Sequence, residues 1–315
     1  MKTNTRETVH ELVKWVVSHP IPLTWRSSSA MPSAAGRKGR KRGSSGYDLI
    51  SRGVYEPGDD PRSIDWHATA QSGGQTVYTV HYREPRDVKF FCLVDTGVTM
   101  EFGTFRTTKR FLAGELTGSI IKSAEETGDR VGLVTYSEQT VERYLPAAGA
   151  KTMLFPALAS IVEASAIERA RKRGGATEGD GKTGLMKALK AIGQHSRSLV
   201  FVISDFLNLT EEEKVLLKKT AVRHDVVCIC VQDLRERELP SGFGLATFQD
   251  LKTGQKRSFW LTKKNRATFS ENWQRHQTAL LEFFRQAHVD WTVVSTEEGV
   301  AAYPKLMRLF AGHRR

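Results

Sequence analysis

The sequence predicts an α/β protein built on a three-layer, mostly parallel, doubly wound sheet, with an N-terminal extension and a β-hairpin insertion. Three observations carry that expectation. Residues 88–95 form a short apolar run, VKFFCLVD, that ends on Asp95, with Gly97 as a breaker just beyond; such a run reads as a strand buried on both faces. Residues 199–205, LVFVISD, repeat the pattern and again end on an acid, Asp205. From there onward apolar strands alternate with helical periodicity, which calls for a parallel sheet covered by helices and joined by right-handed crossovers.

Taken in order, residues 7–19 place Val9, Leu12, Val13 and Val16 at helical spacing, a short amphipathic helix stopped by Pro20 and Pro22. Residues 27–45, rich in Ser, Gly, Arg and Lys, read as a loop or linker. The dense segment 47–71, YDLISRGVYEPGDDPRSIDWHATAQ, has turn chemistry at its centre, because Pro presets φ and Gly supplies an unusual one. It is either a charge-linked turn, with Asp59, Asp60, Arg62 and Asp65 as its network, or a contact surface. Residues 76–83 alternate apolar and polar positions and read as a half-buried strand. The expected organisation is thus an extension over residues 1–86 and a main domain over residues 87–315.

Within the main domain, Phe111, Leu112, Leu116, Ile120, Ile121 and Ala124 mark a helix that ends near Gly128, a good C-cap. Residues 130–136 and 140–145 read as an antiparallel edge pair joined through 137–139, followed by helices over 151–170 and 183–194. After the strand 199–205 come a helix over 211–223 with Thr210 as N-cap and a strand over 226–231. A β-hairpin within 243–260, a long helix over 264–287, a strand over 289–294 and a last helix over 299–310 complete the chain.

The content of 39% hydrophobic and 26% charged residues is that of an ordinary globular protein. Part of the net charge of +12 sits in two basic runs, residues 37–42 and 169–173. A basic face can serve nucleic acid, anionic lipid or an acidic protein. No aromatic residues interleave these runs and no helix-turn-helix or zinc-finger pattern occurs, so a solvated loop is the leading interpretation and non-specific nucleic-acid binding the alternative. Cys92, Cys228 and Cys230 fall in predicted strands with no C-x-x-C spacing, as buried thiols of a reducing compartment. No apolar run reaches the roughly 18 residues of a membrane helix, and the N-terminus lacks a signal-peptide core. A cytoplasmic protein is expected.

Ligands of an open parallel sheet gather at the carboxyl ends of its strands. Asp95 and Asp205 end two such strands, Thr99 follows Asp95 at i+4, and Thr183 opens a helix. Two carboxylates and two hydroxyls make an all-oxygen set that suits Mg²⁺, Mn²⁺ or Ca²⁺ rather than zinc. The plainer alternative is that the threonines only cap helices. Gly181-Lys182-Thr183 with the strand at 199–205 also resembles a Walker pair, the mark of a nucleotide hydrolase. The full motif needs Gly at 176, where Ala176 stands, and a strand directly before the loop, where the chain is polar and basic.

Asp95-x-Gly97-x-Thr99, a threonine opening a later helix and an Asp ending the next core strand together resemble the metal-ion-dependent adhesion site of von Willebrand factor type A domains. The run Arg52-x-x-Tyr55-x-Pro57-Gly58-Asp59-Asp60-Pro61-Arg62-x-Ile64-Asp65-Trp66, followed by Glu84, is similar to the signature of the bacterial DUF58 family, whose members carry such a domain. Ile203-Ser204-Asp205-Phe206 and Asp233-Leu234-Arg235-Glu236 extend the resemblance, which covers residue 36 to the end. It implies a von Willebrand type A-like, Rossmann-like fold and a divalent cation, Mg²⁺ or Mn²⁺, at Asp95, Thr99, Thr183 and Asp205. Partner or interdomain contacts are implied at Arg52, Tyr55, Asp59, Asp60, Arg62, Asp65 and Trp66. The implied role is that of a protein-interaction adaptor beside a MoxR-type AAA+ ATPase, with no enzymatic activity of its own. One departure stands out. The adhesion site has a serine ligand where this chain has Gly97, so a water would fill that position, and Gly97→Ser is expected to tighten cation binding unless Gly97 needs a positive φ.

Overall fold

The computed structural model describes residues 5–18, 49–55, 61–82, 89–104, 107–172, 182–249, 255–298, 302 and 304–307. It divides into two compact units, one of residues 1–25 with 88–315 and one of residues 26–87. The chain begins with α1 (Thr5–Ser18) of the larger unit. In the smaller unit β1 (Leu49–Val54) pairs antiparallel with β2 (Tyr78–Tyr82), and α2 (Trp66–Gln71) lies between them in sequence. Asp65 fixes the start of α2: its carboxylate accepts the Ala68 N–H at 3.0 Å, while its own N–H donates to the Tyr78 carbonyl at 2.8 Å. Strand β1 escapes a periodicity search because LISRGV has no clean alternation.

The larger unit continues with β3 (Lys89–Asp95), α3 (Lys109–Thr127), β4 (Arg130–Tyr136), β5 (Val141–Gly149) and α4 (Ala150–Lys172). Next come α5 (Gly184–Ile192), β6 (Leu199–Ser204), α6 (Glu211–Arg223), β7 (Asp225–Gln232) and the one-turn α7 (Leu234–Arg237). The hairpin β8 (Leu245–Gln249) and β9 (Lys256–Trp260), then α8 (Lys263–Gln286) and β10 (Asp290–Ser295), complete the named elements. Of the expected last helix, the described residues show a helical turn at 304–307. The six-stranded sheet runs β10-β7-β6-β3-β4-β5, parallel throughout except for the antiparallel edge strand β5. β5 runs four residues beyond its expected end and leads straight into α4.

Side chains alternate across a strand, and β3 uses both faces. Phe90, Cys92 and Val94 enter one apolar layer with Leu112, Leu116 and Ile120 of α3. Phe91 and Leu93 enter the opposite layer with Leu189 of α5, Leu217 of α6 and Phe284 of α8. Burial on both faces is what a continuous apolar run in a parallel sheet signifies, and it leaves Asp95 at the carboxyl end of a central strand. Cys92, Cys228 and Cys230 are buried and free; burial pushes the Cys92 and Cys230 thiols up to about 12.

The unit boundary differs from the expectation of an extension over residues 1–86. Val9, Leu12 and Val16 of α1 are buried in the larger unit, the first two in a cluster with Leu158 of α4. Two glycines of α3 admit the helix: a Cβ at Gly118 would lie 2.7 Å from Val16, and one at Gly114 2.9 Å from Leu12. Local periodicity does not reveal this pairing, because the partner face lies about a hundred residues downstream. No described helix is long and apolar enough to cross a membrane.

Candidate functional site

A cleft of about 270 Å³ opens at the carboxyl ends of β3 and β6. Asp95, Thr99, Thr183 and Asp205, the four residues singled out from the sequence, all line it. Asp95 ends β3, and its carboxylate accepts the Gly97 N–H at 2.8 Å and the Ser204 hydroxyl at 2.7 Å. Thr99 lies in the 3-10 turn Val98–Glu101 that follows. Thr183 is the N-cap of α5, as its alternative role required: its hydroxyl accepts the Met186 N–H at 3.3 Å and donates to Glu213 Oε1 at 2.6 Å. Capping and ligation are compatible, since a hydroxyl oxygen has two acceptor lone pairs. Asp205 follows β6, with Oδ1 accepting the Leu207 N–H at 3.2 Å. The next residue, Phe206, has φ 51, unusual for a residue with a side chain; its ring is held edge-on to Phe284 at 5.3 Å.

Three participants lie outside the sequence-derived set. Glu138, in the turn between β4 and β5, lines the cleft and accepts the Val98 N–H at 3.0 Å. Glu213, in the first turn of α6, completes a capping box with Thr210 and also reaches Thr183. Lys109, at the start of α3, is fully buried, with Nζ 2.8 Å from Asp205 and 2.5 Å from Glu236. Strand register gives the signal for Glu138: Asp95 is paired with Tyr136, so the residues two beyond each, Gly97 and Glu138, come side by side. Nothing in the helical periodicity marks Lys109, since a lysine in a first helical turn reads as solvent-facing.

The electrostatics are those of an under-neutralised acidic cleft. Burial, then the charges of Asp205 and Glu138, push the Asp95 carboxyl up to about 7 against the hydrogen bonds from Ser204 and Gly97. Burial pulls the Lys109 ammonium down, but Asp205 and Glu236 more than reverse this. Burial and the Asp95 charge hold the Tyr136 phenol protonated well above its ordinary range. Its hydroxyl, in the cleft wall beside Ser204, has no hydrogen-bond partner of normal geometry among the described residues.

Among the described residues no three His, Cys, Asp or Glu side chains form a cage for a metal ion. The oxygen-only donor set fits a hydrated hard cation such as Mg²⁺, which usually keeps several waters and takes only one or two carboxylates. The nucleotide alternative fares worse. The amides at the start of α5 that a phosphate would use are engaged, Gly184 N–H by the Glu138 carbonyl at 3.0 Å and Met186 N–H by Thr183.

Of the residues expected to make contacts, Asp59 and Asp60 lie outside the described residues, as does Gly181 of the Walker-like run. The basic run 37–42 lies outside them too, and of 169–173 only the helical backbone to Lys172 is described. Arg52 pairs with Val80 in the β1–β2 ladder, and Tyr55 N–H donates to the Val77 carbonyl at 2.8 Å. Arg62 is exposed, Asp65 is the α2 cap and Trp66 is 68% exposed.

The model of the family described as "Protein of unknown function DUF58" matches residues 51–279. The chain belongs to the DUF58 family. This DUF58 protein is 28% identical over 270 residues to the uncharacterized proteins Mb1516 of Mycobacterium bovis and Rv1480 of Mycobacterium tuberculosis, covering 83% of this chain and 78% of each relative. Among solved structures it is similar to BatB from Bacteroides thetaiotaomicron, with a TM-score of 0.41 and 13% identity over 71% of this chain and 99% of that one. A von Willebrand factor type A protein from Catenulispora acidiphila gives a TM-score of 0.30 and 14% identity over 50% of this chain and 36% of that one. The fold of the DUF58 protein is α/β, a six-stranded, mostly parallel sheet flanked by helices.

Proposed function

We propose that this DUF58 protein is a protein-interaction module that docks a partner through a hydrated Mg²⁺ or Mn²⁺ held in the cleft between β3 and β6. One observation carries the reading: Asp95, Thr99, Glu138, Thr183 and Asp205 converge on one cleft, an oxygen-only set of acids and hydroxyls at the carboxyl ends of β3 and β6. Asp95 and the hydroxyls of Thr99 and Thr183 would hold the ion, with Asp205 placed to accept hydrogen bonds from its waters. When bound, the ion supplies positive charge at the cleft mouth for an acidic side chain of the partner. The partner class we assign is a MoxR-type AAA+ ATPase in the cytoplasm, with this chain as binding adaptor rather than catalyst.

The test measures Mg²⁺ and Mn²⁺ binding by calorimetry and the cation-dependent rise in Tm for wild type and Asp95→Ala. A ligand that binds only the folded state stabilises it by RT ln(1 + [L]/Kd), about 2.7 kcal/mol at a hundredfold excess. Wild type should show the rise and Asp95→Ala should not, and retention of a MoxR-type ATPase on the immobilised protein should fail in chelator. Absence of saturable binding by wild type would overturn the cation, and ATPase retention that survives both chelator and Asp95→Ala would overturn docking through it.

A further inference from the structure

We infer that Glu138 takes the ligand position that Gly97 leaves without a side chain, so that the ion in this cleft is held by a second carboxylate, not by a serine hydroxyl. The inference rests on the cation reading above. Its first support is spatial. A Cβ built on Gly97 would lie 3.1 Å from Glu138 Oε1 and 3.0 Å from Asp95 Oδ1. The Glu138 carboxylate thus occupies the space a serine at 97 would enter, directly beside the Asp95 carboxylate.

The second support is that Glu138 is positioned, not merely nearby. The turn that carries it is closed by Ser137 N–H on the Thr140 carbonyl at 2.9 Å and tied to α5 by Gly184 N–H on the Glu138 carbonyl at 3.0 Å. A Cβ on Gly184 would stand 1.8 Å from the Ser137 carbonyl oxygen, so only glycine lets the turn and the helix meet this closely. The Val98 N–H then aims the side chain toward Asp95.

The third support is independent of the acids. Tyr136 immediately precedes this turn, is 3% exposed and presents to the cleft a hydroxyl without a partner of normal geometry. A water of a hydrated cation in the cleft would give that hydroxyl its missing hydrogen bond. Gly97 itself has φ −59, so no backbone conformation calls for glycine there; the space a side chain would enter is lined by the Glu138 and Asp95 carboxylates. The expectation that Gly97→Ser would tighten cation binding is therefore reversed.

Replacing a neutral hydroxyl by a carboxylate changes what the ion does. Two carboxylates, Asp95 and Glu138, would together carry the charge that balances a divalent ion. The ion is retained more firmly, and its residual pull on a partner's carboxylate is smaller than at an all-hydroxyl site. Exchange of Glu138 for the partner's acid would then be the docking step.

The experiment is Mn²⁺ titration calorimetry on the full chain in five forms: wild type, Glu138→Gln, Gly97→Ser, Glu138→Ala with Gly97→Ser, and Asp95→Ala. Glu138→Gln keeps the shape and an acceptor for the Val98 N–H, so it isolates the charge. Expected are a tenfold or greater loss for Glu138→Gln, no gain or a loss for Gly97→Ser, and affinity above that of Glu138→Gln for the double variant, where the serine has room. Glu138→Gln binding as tightly as wild type while Asp95→Ala loses the ion would overturn the inference and leave the cation reading standing. Loss of no affinity in Asp95→Ala, or no binding by wild type, would overturn both.

Discussion

The ammonium of Lys109 is 2.8 Å from Asp205 Oδ2, and Lys109 has no exposed surface. A lysine at the first residue of α3 opposes the helix dipole, so its place there is explained by the two acids it meets, Asp205 and Glu236 at 2.5 Å. It links the floor of the cleft to the turn after β7. There Asp233 accepts the Thr104 N–H at 2.9 Å and the Thr296 hydroxyl at 2.7 Å.

Removing only the cation leaves two buried carboxylates uncompensated, which typically costs about 3–5 kcal/mol. Lys109→Met is therefore expected to lose stability on that scale in chemical denaturation. Adding Glu236→Gln to Lys109→Met should recover part of the loss. A Lys109→Met protein as stable as wild type would mean that the pair is not buried in solution.

His224 sets a pH response of opposite origin. It is 1% exposed, and neither ring nitrogen has a hydrogen-bond partner among the described residues. Burial, then the positive charges of Arg223 and His195, lower its pKa. Above the unfolded value of about 6.5 the histidine is neutral in both states and its contribution is whole. As pH falls below that value the unfolded chain takes up the proton first, and stability is lost. Tm of wild type should fall between pH 7 and 5.5 more than that of His224→Leu, at about 2–4 °C per kcal/mol for a domain of this size. Parallel pH curves for the two proteins would remove His224 as the cause.

The docking of α1 yields a test of the unit boundary. Gly118→Leu places a side chain where Val16 lies 2.7 Å from the position of the new Cβ. Overpacking of this kind costs about 1–3 kcal/mol, and limited proteolysis should release the N-terminal helix from the variant while sparing it in wild type. Neither Val16 nor Gly118 lines the cleft, so the Mn²⁺ response should be unchanged. Equal protease resistance would show that α1 is not held by α3.

Most of the sheet was legible because β3, β6 and β7 are continuous apolar runs, and Thr210 announced the start of α6 through local capping chemistry. Asp95 and Asp205 were legible for the same reason: each ends such a run. Glu138 was not, because its role depends on β4 lying beside β3, a neighbour relation that no local spacing encodes. Lys109 was hidden by the chemistry of its own type, since a lone lysine is a surface residue unless distant acids close around it. The position of α1 was hidden likewise, its partner surface being made by glycines that read only as weak helix formers.

The last prediction concerns the junction that sets both Thr183 and Glu138. Gly184 begins α5, where helix propensity alone would favour alanine by about 1 kcal/mol. Its neighbours decide otherwise: a Cβ there would lie 1.8 Å from the Ser137 carbonyl oxygen and 2.9 Å from that of Thr140. Backbone atoms cannot swing aside as a side-chain tip can, so Gly184→Ala must separate the helix from the turn. That separation breaks the 3.0 Å bond from Gly184 N–H to the Glu138 carbonyl and shifts two cleft residues at once. We expect a stability loss of about 1–3 kcal/mol, the usual scale for overpacking, together with a smaller Mn²⁺-dependent rise in Tm than in wild type. Gly193, just past the other end of the same helix, is the control. A Cβ there would meet nothing nearer than 3.4 Å, so Gly193→Ala should leave the cation response intact. If Gly184→Ala were as stable and as responsive as Gly193→Ala, the turn and the helix would not be in contact, and Glu138 would lose the support that aims it at Asp95.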